Sequence, residues 1–395
     1  MDYDYGIPTH LLRFLGACAY GDAKAYYAGL NESERAELER QGKRFGMSAW
    51  FYRYLLDVLP DAKRTEYQKL YQGRQVKALL GAQELKRLYC VLAAHGLRFV
   101  PIKGADLAYR LYTDTALRVF GDWDIWFHPD DCERALAILA EDGWFPPEHY
   151  TDSHNAVIKS ANHHFSPHIR GGYALEPHFT LANYAGVDPH EMWEHTMEYP
   201  AGDGQRVLTP EMNLLMLARH ASSQSYYHAQ IPKLLTDAAM VMKEKLDYTR
   251  LHEMASHWRL PYPGDLFAAF PEFFPEEIIR KFKADSAKTA EFRAIFEMRG
   301  RLGEPENEAL LLSRFEAQGQ VAGGVRKHIL SLSPDKMRLV YHLPKHGAYW
   351  RVLWAYLCYF WTRSWRAIGW MRNRQKFLKY ARAVESVESK PLGSC

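Results

Sequence analysis

Several things are scarce in this chain of 395 residues, and each scarcity closes off a class of protein. It has five cysteines, Cys18, Cys90, Cys132, Cys358 and Cys395, lying far apart with no CxxC pair. That spacing suits neither a disulfide framework nor a cysteine-based zinc module, and reads as reduced thiols in a cytosolic protein. No run reaches the roughly 18 consecutive apolar residues that a membrane-spanning helix needs. The first ten residues carry Asp2 and Asp4 and no basic stretch ahead of an apolar one, so no secretory signal is expected there. No repeat of fixed period and no low-complexity tract occurs, which argues against a solenoid.

What is present is the balance of a folded soluble protein: 47% hydrophobic and 25% charged residues, with a net charge of +3. The charge is unevenly spread. Of 50 Lys and Arg and 47 Asp and Glu, residues 349–395 hold nine and two. A basic tail thus follows a mildly acidic body, which suggests a local electrostatic contact rather than a body-wide nucleic-acid groove.

The chain divides by pattern into four parts: a helical region at 1–95, a mixed core at 96–207, a second helical region at 208–345 and a basic aromatic tail at 346–395. In the first part, helical runs at 32–45, 48–59 and 64–95 are punctuated by Pro60 and Gly96. At Arg98 the text turns β-rich through Lys103, and Gly104 opens a helix to about Tyr112. A second strand is expected over Val119 to Phe127, followed by a helix that starts at Pro129 with a capping box through Glu133 and closes at Gly143. Two more strands, 163–169 and 173–179, flank Gly171-Gly172, a pair suited to a tight turn. Beyond 208 the chain reads as helical, broken at Pro261 to Pro275, Gly300 to Glu304 and Gly319 to Gly324.

The chemistry-bearing pattern is Asp122-Trp123-Asp124. In a strand, alternate side chains share a face, so both carboxylates converge on one point. Two close negative charges are costly unless a cation lies between them, and hard oxygen ligands suit Mg²⁺ first and Mn²⁺ second. Glu176, in another extended run, is the candidate third ligand, and His178 shares its face. Pro177 between them removes a backbone donor and suggests an edge strand. Lys103 and Gly104 stand where a strand passes into a helix, a position whose free amides attract phosphate, and Arg118 can offer a planar fork to a polyphosphate. His163, His164, His168 and His178 match no familiar zinc spacing.

The runs Val100 to Tyr112, Leu117 to Ile125, Leu175 to His178, Leu208 to His220 and Leu235 to Ala239 resemble the uncharacterised nucleotidyltransferase family of the DNA polymerase β-like superfamily. The resemblance covers about residues 96–245. It implies an α+β fold, a small mixed sheet flanked by helices, taking an NTP such as ATP and transferring NMP with release of pyrophosphate. The expected site is then Asp122, Asp124 and Glu176 on two Mg²⁺, with Lys103, Gly104, Arg118 and His178 at the nucleotide. The wider superfamily carries Gly-Gly or Gly-Ser where this chain has Lys103-Gly104. His220 and Asp237 match family positions on helices and read as buried polar struts. A scaffold that has lost turnover, and a phosphohydrolase using water as acceptor, are the rival readings. The acceptor, whether small molecule, lipid, peptide or RNA, is not legible.

In the tail, residues 349–382 hold eleven aromatics and eight Lys and Arg with no acid. Trp350, Trp354, Leu357, Trp361, Trp365 and Ile368 recur at helical spacing. The stripe either packs onto the body or lies against an anionic membrane, with RNA contact a third option. The last ten residues, 386–395, read as a frayed end.

Overall fold

The computed structural model describes residues 7–147, 163–181, 187–199, 206–223, 230–301 and 349–389, with a few positions between 334 and 343. The breaks expected at Gly300 to Glu304 and Gly319 to Gly324 fall almost wholly outside them.

Five helices come first: α1 (Thr9–Tyr20), α2 (Ala23–Ala28), α3 (Glu32–Arg44), α4 (Ser48–Leu55) and α5 (Asp61–Ala94). Asn31 and Glu34 close the head of α3 with reciprocal hydrogen bonds of 3.0 and 2.9 Å, a capping box that satisfies two otherwise idle amides. In α5 the buried positions Tyr67, Tyr71, Gly81, Leu85, Leu88 and Leu92 follow three-and-four spacing, so one seam of this long helix faces the body.

The core follows as β1 (Phe99–Ile102), α6 (Lys103–Arg110), β2 (Trp123–Phe127), α7 (Cys132–Glu141), β3 (His168–Arg170) and β4 (Tyr173–His178). The chain then forms α8 (Pro189–Trp193), β5 (Thr196–Glu198), β6 (Arg206–Leu208), α9 (Pro210–Ser223) and α10 (Ile231–Val241). It continues through α11 (Tyr248–His257), α12 (Pro263–Ala268), α13 (Glu276–Phe282), α14 (Ser286–Arg301) and α15 (Tyr349–Ser389). The class is α+β, a small mixed sheet among helices. The head of α7 departs from the expected capping box: a 3₁₀ turn over Pro129–Asp131 precedes the helix, and His128 Nδ1 accepts from the Asp130 amide. Helix α15 also runs to Ser389, with Val387 buried, so residues 386–389 are helical rather than frayed.

The sheet has the order β1-β2-β4-β3, with β2 and β4 parallel and the outer pairs antiparallel. Gly171 and Gly172, at φ of +56° and +84°, make the turn between β3 and β4 that only residues free of a Cβ adopt cheaply. Strand alternation splits the sheet between two cores. Trp123, Ile125, Phe127 and Leu175 face α5 and α7, where Leu85, Leu88 and Leu92 meet them. Val100, Ile102 and Trp126 face the larger core, which runs from α1 to α15 and crosses every boundary drawn on the sequence. Asp124, Glu176 and His178 alternate onto this second face.

Pro177 is not on an edge, because β4 lies between β2 and β3. Beside Pro177 the neighbour is the stretch at 163–165, where the Phe165 amide donates to the Pro177 carbonyl at 2.8 Å. The return bond would need an N–H that proline lacks. The carbonyl of Phe165 instead meets His164 Nδ1 at 2.7 Å, so a side chain replaces the missing backbone donor.

Gly104 has a packing reason. A Cβ there would come within 2.6 Å of Phe120 Cβ and 2.7 Å of its Cγ, far inside contact distance. Gly104→Ala is therefore expected to lower stability by about 1–3 kcal/mol in urea denaturation; a melt identical to the parent would show that the head of α6 does not sit this close to Phe120.

Candidate active site

Asp124 is the centre of the site. It lies on β2, paired in register with Ile102 of β1 on one side and Glu176 of β4 on the other. Since Lys103 directly follows Ile102, its ammonium reaches Asp124 Oδ1 at 2.6 Å. It does so from a left-handed backbone, φ +52°, which costs a lysine of order 1 kcal/mol and persists only where the surroundings enforce it. His178, fully buried, places Nε2 at 2.9 Å from the same Oδ1. Ligand atoms of Asp124, Glu176 and His178 lie within 4.8 Å of one another.

The electrostatics follow from burial and repulsion. Burial opposes the charge of Asp124, yet the hydrogen bond from His178 and the Lys103 charge outweigh it and hold the carboxyl far below the usual range. Glu176 goes the other way: burial, then the charges of Asp124 and Asp122, push it up to about 7. The cluster thus behaves as a pair of carboxylates of which one stays ionised and the other retains a proton near neutrality. Burial pushes His178 down to about 4 and lowers His164 as well, so both rings are neutral. A carbonyl oxygen only accepts, so the bond to Phe165 fixes the proton of His164 on Nδ1. Its Nε2 is left as a bare acceptor, 3.9 Å from Glu176 Oε2.

Asp122 sits in a bend just before β2, not within the strand as expected, and is half-buried. Its charge still acts on Glu176, His164 and Lys233, which places it at the rim of the cluster.

Arg118 goes elsewhere. Its fork grips Asp237 of α10, with Nε to Oδ1 at 2.6 Å and Nη2 to Oδ2 at 2.8 Å, and Nη1 donates to the Val119 carbonyl at 2.9 Å. Both partners are buried, and Tyr112 Oη donates to Asp237 Oδ1 at 2.8 Å. The planar fork suited to a polyphosphate is engaged by a carboxylate 119 residues away.

Lys233, outside the sequence motifs, also belongs to this region. It lies four residues before Asp237 on α10, hence on the same helix face. Burial, then the charge of Arg118, lowers its ammonium to about 8, and it is within electrostatic range of Asp122 and Asp124. His220 of α9, pushed down to about 4 chiefly by burial, is in range of Lys103 and Asp124. The i,i+4 relation of Lys233 and Asp237 was the available signal.

The donor set fits a divalent cation. Carboxylate oxygens of Asp124 and Glu176 and a ring nitrogen of His178 lie within 4.8 Å of one another, and His164, whose Nδ1 is pinned by a carbonyl in the manner that orients metal-binding histidines, brings Nε2 to 3.9 Å from Glu176 Oε2. A second group, His128, Asp130 and His190, is less suited. Arg98 stands 3.2 Å from His128 Nε2 and 3.3 Å from Asp130 Oδ2, so a resident guanidinium already supplies the positive charge.

Beside Gly121 and Ala174, one and two residues from Asp122 and Glu176, lies a cavity of about 100 Å³. Arg74 and Lys77 line it together with Tyr109 and the stacked rings of Trp123 and Tyr173, 4.7 Å apart, and no acidic residue does. Arg74 donates through Nη2 to the Gly46 carbonyl at 3.0 Å while its buried Nη1 meets no acceptor among the described residues. Such a lining suits an anionic group on a planar or apolar frame.

The family model of an uncharacterised nucleotidyltransferase matches residues 51–264. The chain belongs to that family. The match takes in the sheet, α9, α10 and every residue of the cluster. No curated protein and no solved structure matches the chain. Nucleotidyl transfer is the general activity of the family to which this fold belongs.

If the grip of Arg118 on Asp237 holds the helices against the sheet, then Arg118→Met, which strands a buried carboxylate, should cost about 3–5 kcal/mol in denaturant unfolding. The double variant Arg118→Met with Asp237→Leu should recover most of that loss. A single variant with parental stability would mean that the guanidinium is not committed to Asp237.

Proposed function

We propose that this chain transfers NMP from an NTP to a hydroxyl-bearing acceptor, with Asp122, Asp124 and Glu176 holding a divalent cation. The observation that carries the reading is the register pairing of Asp124 with Glu176 on a buried face, with Lys103 bonded to that cluster. A cation held there supplies charge neutralisation at the polyphosphate and eases ionisation of the acceptor hydroxyl. Mg²⁺ prefers an all-oxygen shell, whereas a nitrogen donor from the bare Nε2 of His164 would favour Mn²⁺, so the residues present admit both.

The chain's own residues do the rest. Lys103, drawn off Asp124 once that carboxylate has another positive partner, turns to the polyphosphate at the head of α6, where the helix dipole also favours negative charge. Lys233 adds a second ammonium from the helical side. Gly104 lets the first turn of α6 lie against Phe120, and Arg118 positions α10 through Asp237. The acceptor oxygen attacks the α-phosphorus, the bond to the bridging oxygen of the β-phosphate breaks, and pyrophosphate leaves. The hydroxyl proton passes to a carboxylate of the cluster. His178 keeps Asp124 oriented through its 2.9 Å bond.

Incubation with radiolabelled NTPs, Mg²⁺ or Mn²⁺ and candidate acceptors is expected to give label transfer that Asp124→Asn reduces by at least about a thousandfold. Transfer that persists in this variant would remove the cluster from the chemistry, and release of free nucleotide alone would make water the acceptor.

The proton on Glu176 gives a second test. Its folded-state value is raised, so below about 7 the carboxyl is protonated and a cation must displace that proton. Mn²⁺ affinity measured by calorimetry should rise with pH up to about 7, approaching tenfold per unit at the acidic end, and level off above it. Glu176→Gln should flatten the profile; a parental profile in that variant would assign the proton to another group.

A further inference from the structure

Helix α15 carries a face that the rest of the described chain leaves open. Trp350, Leu353, Trp354, Leu357 and Trp361 are each between 55% and 68% exposed, and Phe360 beside them is exposed as well. Their spacing of three and four puts them in one stripe along three turns. The opposite side of the same turns is the one that is covered: Val352, Ala355 and Tyr359 are buried against Met337, with Tyr341 and Leu343 alongside. Packing of this stripe onto the body, the first of the three readings, therefore does not describe Trp350, Trp354, Leu357 and Trp361. The side chains of Trp365 and Ile368 lie outside the described residues.

The far end of the helix is fixed. Phe377, Tyr380, Val384 and Val387 belong to the main core, and Ser386 Oγ donates to Glu291 of α14 at 3.2 Å. The tryptophan face is thus carried on an element anchored in the body. An apolar patch of this size on a folded protein marks an interaction surface.

Charge decides the occupant. Residues 349–395 hold nine Lys and Arg against two Glu, while the remainder of the chain holds 41 against 45. A second copy brought to this face would set one strongly basic segment on another. An anionic bilayer offers an apolar interior for the indoles and opposite charge for the net positive segment that carries them. Arg351, whose guanidinium lies 5.5 Å from the Trp350 ring, already sits at such a boundary. Among the described residues no helix is long and apolar enough to cross a membrane, so the helix would lie in the plane of the interface.

We propose that the Trp350 to Trp361 face of α15 docks the protein on an anionic lipid surface. Docking stands apart from nucleotidyl transfer, since none of these side chains belongs to the carboxylate cluster.

The test is flotation of the full chain with vesicles of phosphatidylcholine alone, or of phosphatidylcholine with one third phosphatidylglycerol. Binding to the anionic vesicles should exceed that to the neutral ones by about tenfold or more and weaken at high salt. The triple variant Trp350→Ser, Trp354→Ser, Trp361→Ser changes exposed positions only. It should keep the parental melting temperature and lose flotation about tenfold or more. Failure of the parent to float, equal flotation of the triple variant, or no preference for anionic lipid would each overturn the proposal. So would a parental dimer in sedimentation that the triple variant converts to monomer, since the face would then belong to a second copy. A variant that unfolds is replaced by Leu353→Gln with Leu357→Gln, judged by the same flotation.

Discussion

Two carboxylates facing each other across neighbouring strands, out of water, cannot both keep their charge without help. Strands lie about 4.8 Å apart, and at that distance in a poorly screened interior the repulsion is worth several kcal/mol. Much of the site can be understood as the chain's answer to it. Asp124 takes the ionised role because Lys103 and His178 both bond to its Oδ1. Glu176 takes the protonated role because burial disfavours its charge and it feels two negative neighbours, Asp124 and Asp122. The left-handed backbone of Lys103 has the same origin: a residue that must both end β1 and send its ammonium sideways onto the next strand adopts a conformation that lysine otherwise avoids.

The same arrangement explains why the cluster lies between sheet and helices. Asp124, Glu176 and His178 face the larger core, which is the side α9 and α10 occupy. The Arg118, Asp237 and Tyr112 network ties α10 to the loop leading into β2 and to the residues after α6. One helical turn ahead of Asp237, Lys233 then falls at the rim of the cluster without any sheet residue having to supply it. A buried ion pair of this kind contributes little net stability compared with an apolar pair, but it fixes orientation, because its two hydrogen bonds admit a single geometry.

Local periodicity was enough to place Asp124, Glu176 and Lys103, since strand alternation and the strand-to-helix junction act within a few residues. It also gave the Gly171-Gly172 turn, while the class, a small mixed sheet among helices, came from the family resemblance. Arg118 was out of reach because a long side chain goes where its partner is, and Asp237 is distant in sequence. Pro177 was misplaced for a related reason. A missing donor excludes proline from an inner strand only if nothing else serves the facing carbonyl, and His164 does so here. That substitution is what turns His164 from one histidine in a cluster into a ring with a fixed proton, and no spacing rule carries that information. In α15 the periodicity identified a stripe but not its surroundings, and left packing and membrane contact both open; the side that packs is the smaller Val352 and Ala355 with Tyr359.

The family match ends at residue 264, yet the core that supports the cluster does not. Leu214 and Leu235, on the helices that carry His220 and Lys233, belong to the same contiguous core as Phe292 and Ile295 of α14 and Tyr380 and Val384 of α15. Helix α15 is therefore joined to the same core at one end and carries an open apolar face at the other. A core packed to crystal-like density transmits displacement rather than absorbing it. The C-terminal half of α15 shares that core with α9 and α10, so its removal would expose Phe377, Tyr380, Val384 and Val387 of the packing that supports those helices.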